Sequence, residues 1–191
     1  MLMKPDIRKI VQVVNWFASQ SPFKEAGKLH LLKYVYFADR YHLRKYGRLV
    51  TGDTYYAMRY GPVASATKEV IEFRIKDCAV YAGQYIRLVD PNTVCSVAPV
   101  DSGVFSDTDL EAMRSAKALS ARTGDIVAYT HLFPEWKRHE ASLKGNGRRV
   151  RMDMLDFFGD APADAEYCVV EPGLLALNRE LFFEDLAVFG R

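Results

Sequence analysis

Between residues 25 and 46 the chain carries apolar side chains on nearly every side of a helix: Leu29, Leu31, Leu32, Tyr34, Val35, Tyr36, Phe37 and Ala38. At about 100° per residue these positions cover most of the circumference, so no broad face is left for water, and the helix must run through the middle of the fold. Gly47 follows directly and predicts the stop, since glycine takes the left-handed conformation past a last helical turn at little cost. Surrounding such a helix needs a sizeable core. With 191 residues, 49% hydrophobic and 26% charged, the chain has the length and balance of one main globular domain that folds without a partner.

The remaining pattern supplies the surrounding elements. Ile7, Ile10, Val11, Val14, Phe17 and Ala18 recur at helical spacing over residues 5–19, and Ser21-Pro22 breaks that helix. Residues 54–60 are rich in aromatic and β-branched types, which predicts a strand closed by a turn at Gly61-Pro62, with a helix following over 65–75. Residues 85–89 and 94–98 flank Asp90-Pro91-Asn92-Thr93 and predict a β-hairpin. Ser106 opens a capping-box-like start for a helix with Leu110, Met113, Ala116 and Leu119 on its buried face. Short helices are expected from Asp125 toward Leu132, from Pro134, and over 152–158. Residues 144–149 read as a flexible basic loop, 159–165 as a linker, and 172–188 as a closing helix bearing Leu174, Leu177, Leu181 and Phe182. The expected class is α+β, a predominantly α-helical single domain with a small antiparallel β-sheet or hairpin.

The formal charge of +2 hides an asymmetry: residues 160–191 hold seven acids against two arginines, which leaves 24 bases against 17 acids in residues 1–159. A basic body attracts nucleic acid or an acidic protein, and an acidic tail either folds back on it or stays solvated. Cys78, Cys95 and Cys168 are too few and too far apart for a disulfide framework or a zinc knuckle, and read as reduced, mostly buried thiols. No leader-like apolar start and no run of the roughly 20 apolar residues that span a bilayer is visible, so a cytoplasmic location without membrane contact is expected.

Catalytic, metal and cofactor sites are expected to be absent. His30 and His42 lie about 18 Å apart along one helix, and His131 and His139 are separated by Pro134, so no pair has metal-ligand spacing. His139-Glu140 lacks the second histidine of a protease-like helix motif. Asp39 and His42 share a helical face in the manner of an oriented general base, but without a nucleophile or oxyanion loop the favoured reading is a histidine satisfied by a structural partner. Arg40, Arg44, Lys45 and Arg48, with Tyr41 and Tyr46 between them, suggest a basic patch for nucleic acid, joined by Arg148, Arg149 and Arg151. The helix dipole accounts for cations at a C-terminus equally well. Tyr55, Tyr56 and Tyr60 beside Arg59 suit a protein-binding surface, although strand alternation sends Tyr55, Ala57 and Arg59 to one side and Tyr56, Met58 and Tyr60 to the other.

One longer pattern remains: Lys33-Tyr34-Val35-Tyr36-Phe37-Ala38-Asp39, His42-Leu43, Gly47-Arg48, Asp53 and Arg59-Tyr60-Gly61-Pro62-Val63, followed by Asp109-Leu110-Glu111, Thr130-His131, Pro134 and Trp136. It resembles the Panacea antitoxin domain, the SocA-like family also described as phage-associated GepA-like proteins, across roughly residues 7–158. The chain departs from that pattern at Leu49, where proline is usual, at Met58-Arg59 in place of an aromatic and lysine, and at Ala64-Ser65 in place of Pro-Ser. The resemblance implies a mostly helical, non-enzymatic antitoxin of a bacterial or prophage toxin-antitoxin pair. Such a protein neutralises its cognate toxin by binding it or by acting as an adaptor that delivers it to a protease. Under this reading residues 1–159 form the domain and 160–191 an acidic extension packed on it. Tyr55, Arg59, Tyr60, His131 and Trp136 are the candidate partner-binding residues, and a nucleic-acid-binding or autoregulatory protein is the alternative.

Overall fold

In the computed structural model, which describes residues 4–144 and 148–189, two long helices come first: α1 (Ile7–Ser19), capped by Asp6, and α2 (Lys28–Tyr46). Every residue from Leu31 to Arg40 is buried, so α2 is the axis on which the rest is assembled. Gly47 ends it at φ 71°, its amide donating to the Leu43 carbonyl, as the position of that glycine predicts. The start comes later than expected, because Glu25–Gly27 are extended and form β1. Three residues carry no periodic signal of their own; long-range pairing makes them a strand.

A hairpin follows α2. Strand β2 (Tyr55–Met58) pairs antiparallel with β3 (Gly61–Ala64), so Gly61 and Pro62 lie within a strand and the turn sits at Arg59-Tyr60, two residues before the expected place. Positive φ falls on Gly61, at 91°, and on neither turn residue. This is the arrangement of a turn whose closing residue must be left-handed. Helix α3 (Ser65–Ile71) follows and stops short of the expected 65–75, before Phe73, whose φ is 53°, and α4 (Lys76–Tyr85) stands where no helix was expected. Strands β4 (Ile86–Asp90) and β5 (Thr93–Ser96) form the expected hairpin, and β1 adds to β5.

The second half is helical and irregular. Ser106 and Asp109 make a full capping box on α5 (Asp107–Thr123), which packs along α2. Short helices α6 (Ile126–Thr130) and α7 (Pro134–Lys137) follow, then the two-residue strand β6 (Val150–Arg151), which joins β2. The basic loop expected over 144–149 lies in part outside the described residues. Met154–Phe158 is a 3-10 turn, and the expected linker is a second one at Pro162–Glu166 that buries Ala161, Ala163 and Asp164. Helix α8 (Pro172–Phe189) closes the chain against α2. The architecture is α+β and mainly helical, and the described residues form two three-stranded antiparallel sheets ordered β1-β5-β4 and β3-β2-β6. Among the described residues no helix is long and apolar enough to cross a membrane, and no group of three or more His, Cys, Asp or Glu side chains is placed to hold a metal ion.

Candidate functional site

A helix buried on every side through its middle buries charged residues along with apolar ones, and α2 buries Lys33, Asp39, Arg40, His42 and Arg44, while Leu29 near its start is 38% exposed. Each must then find a partner in another element. Lys33 Nζ donates to the Pro62 carbonyl at 2.8 Å. Asp39 accepts from the Thr51 amide, the Thr51 hydroxyl and, at 2.8 Å, the Tyr55 hydroxyl, while burial pushes its carboxyl up to about 6. His42 does not turn to Asp39. Its ring nitrogens meet the Arg48 carbonyl at 2.8 Å and the Thr108 hydroxyl at 2.9 Å, and burial pulls its pKa down to about 4. Asp53 performs an N-capping role for α3 from a distance, accepting from the Ala66 and Thr67 amides and the Thr67 hydroxyl.

The basic patch expected at the end of α2 is divided: Arg40 and Arg44 are buried, Lys45 is half-buried and Arg48 is exposed. Arg40 is fully buried against Glu135, Asp164 and Tyr167, and Arg44 is 2% exposed and reaches Asp160 and the Gly159 carbonyl. Lys45 pairs with Glu111 at 2.6 Å, and together with Tyr41 and Tyr46 it holds that carboxyl down at about 2. Arg48 pairs with Asp109, which Lys9 also reaches. All four cations are thus answered by acids distant in sequence, and the acids of Asp109-Leu110-Glu111 serve that purpose. Arg148, Arg149 and Arg151 are exposed, with Arg149 lying 5.0 Å over the Tyr56 ring beside the β2–β3 hairpin.

The β2–β3 hairpin is clamped from beneath. Gly61 sits against Lys33 and Thr130 so closely that a Cβ there would lie 2.2 Å from the Thr130 hydroxyl. Trp136 donates its indole N–H to the Met58 carbonyl at 2.9 Å, and His131 stacks flat on the indole with centroids 3.7 Å apart. Burial, with the nearby Lys33 charge, depresses the His131 pKa. Two expected contact residues therefore belong to the interior: Tyr55 is fully buried and Trp136 is 4% exposed. Alternation along β2 explains the first, because Tyr55 and Ala57 point to the core while Tyr56 and Met58 are half-buried. What the clamp leaves outside is the tip, with Arg59 exposed and Tyr60 60% exposed. Beside it Arg59, Trp136, Glu140, Leu143 and Lys144 line an open groove of about 360 Å³.

Lys33 makes a measurable signature of this clamp, because burial lowers its pKa to about 7. A depressed amine binds fewer protons folded than unfolded, so stability is lost as pH falls through 7 and grows as pH rises toward the unfolded value of about 10.4. Between pH 7 and 9 the gain from this one group is about 2 kcal/mol. Urea unfolding at the two pH values should show a response in the native chain that is more positive by about that amount than in Lys33→Met, the raised thiols of Cys78 and Cys168 acting equally on both. An equal rise in both would mean that Lys33 is solvated.

Lys33 and Asp39 of α2 thus hold a hairpin whose tip is exposed, the organisation of a helical domain that displays a fixed surface loop. Residues 31–137 match the family model described as Antitoxin SocA-like, Panacea domain, and the chain belongs to that family. No curated protein and no solved structure matches it.

Proposed function

We propose that this chain is a cytoplasmic antitoxin of a bacterial or prophage toxin-antitoxin pair, neutralising a cognate toxin by binding it, and that the β2–β3 tip is its central contact. Membership of the antitoxin family carries the reading. The tip is favoured because Lys33, Asp39, His42 and Asp53 of the motif are buried, whereas Arg59 and Tyr60 are exposed and of the types that dominate binding hot spots. The clamp adds to this, since a loop fixed before binding loses little entropy in the complex. Its role requires no chemistry from the chain.

The test is coexpression with the product of the adjacent open reading frame. Growth should be arrested by that product alone and restored by this chain, with the two proteins copurifying. Stable toxin in the complex would indicate masking, and toxin that disappears only when this chain is present would indicate delivery to a protease. Arg59→Ala with Tyr60→Ala should weaken the complex by about 30-fold or more, the loss of a hot spot of about 2 kcal/mol, at unchanged melting temperature. Undiminished binding by that variant would remove the tip from the interface. An adjacent product that is harmless, or is never relieved, would end the antitoxin reading.

A further inference from the structure

Helix α8 lies outside the residues matched by the family model and holds to the body by one side only. Leu175, Asn178, Phe182 and Leu186 fall within about 80° on a helical projection. Of these, Asn178 donates to the Arg44 carbonyl at 3.0 Å and the Phe182 ring packs 5.9 Å from that of Phe158. A second apolar stripe is open to solvent among the described residues: Leu174, Leu177, Leu181 and Val188 are 40, 51, 49 and 68% exposed. These four fall within about 60° of one another, at the three- and four-residue steps of a coiled-coil seam.

Charge decides what fits there. Glu184 occupies the seam step between Leu181 and Val188, Glu180 lies on the same flank, and Asp185 lies on the opposite flank. Among the described residues none of the three is in an ion pair. Arg179 points away, into a groove lined by Pro134, Arg138, Leu155 and Phe158. Among the described residues the stripe is therefore apolar with an acidic frame and no base of its own, on a body that is otherwise basic. A second copy would set like charges against each other, at a cost in every register.

We propose that this stripe of α8 is a docking seam for an amphipathic helix of a partner protein that carries lysine or arginine beside its leucines. The inference rests on the antitoxin reading for the partner's identity, where it adds a second contact to the hairpin tip, but not for the seam itself. The probe is a synthetic amphipathic peptide with leucines at seam spacing flanked by lysines, compared with one bearing glutamates in their place. The lysine peptide should bind the full chain, more weakly as salt rises, and the glutamate peptide should not. Leu177→Glu with Leu181→Glu should weaken binding about tenfold or more, since each glutamate enters an apolar seam. Both positions are about half exposed, so the variant should melt with the native chain.

Equal binding of both peptides, no binding of the lysine peptide, or binding that survives the double variant would overturn the proposal. So would a native dimer in sedimentation that the variant dissociates, which would give the seam to a second copy. Growth rescue reads the antitoxin role alone and peptide binding reads the seam alone, so failure of one is distinguishable from failure of the other.

Discussion

Gly61→Ala is expected to destabilise the fold by roughly 2–5 kcal/mol, from two additive causes: a left-handed backbone costs a side chain about 1–2 kcal/mol, and overpacking a tight interior costs about 1–3. The first follows from φ 91° at this position. The second follows from the neighbours a methyl group would meet, the Thr130 hydroxyl at 2.2 Å and Lys33 Nζ at 2.9 Å. Neither can swing aside freely. The Thr130 hydroxyl donates to the Val127 carbonyl at 2.6 Å, and Lys33 is buried and tied to the Pro62 carbonyl. For a chain of this length the loss corresponds to roughly 5–20 °C in melting temperature. Thermal unfolding followed by far-ultraviolet circular dichroism measures it. Adding Thr130→Ala should recover part of the loss, by removing the closer clash and leaving the contact with Lys33 and the backbone strain. A Gly61→Ala chain that melts with the native one would show that the hairpin is not held from beneath, and with it the argument for a fixed tip would fall.

The elements visible in the sequence were those with local causes. The all-round apolar pattern placed α2 at the centre, Gly47 stopped it, Ser106 capped α5, and Asp90-Pro91-Asn92-Thr93 turned the β4–β5 hairpin. The elements that escaped have distant causes. Glu25–Gly27 and Val150–Arg151 are strands only because β5 and β2 lie beside them. The early end of α3 depends on a left-handed Phe73, which no composition announces, and α4 was not read at all. At the candidate site the same division holds. The hairpin was readable as a motif, but Arg40 and Arg44 looked like a surface patch because their acids lie more than 90 residues away in the chain. A clue was available: a helix with no room for a solvent face has none for its arginines either. Asp39 and His42 were paired by helical spacing, and the structure separates them because each meets a better-placed partner in the segment after Gly47 or in α5.

That burial leads to the largest effect expected from a single polar truncation. Glu135 Oε1 accepts from the Tyr36 hydroxyl and from Arg40 Nε, both at 2.6 Å, and neither Glu135 nor Arg40 has any exposed surface. Burial alone would strip Arg40 of its proton more easily, yet the neighbouring Glu135, Tyr167, Tyr36 and Asp164 hold its pKa above the ordinary range. Glu135→Ala removes the central acceptor and leaves the guanidinium to Asp164 and the Gly159 carbonyl, which should cost about 3–5 kcal/mol. Glu135→Gln keeps an acceptor for both donors and should cost less. Arg40→Met combined with Glu135→Leu tests the pairing itself. Because the desolvation of both charges then disappears, the double variant should lose less than the sum of its single changes, a coupling readable in urea unfolding. Strict additivity would mean that Arg40 is satisfied without Glu135. The link between α2 and α7, which sets Trp136 under the hairpin, would then have to rest on the packing of Phe37 and Phe133.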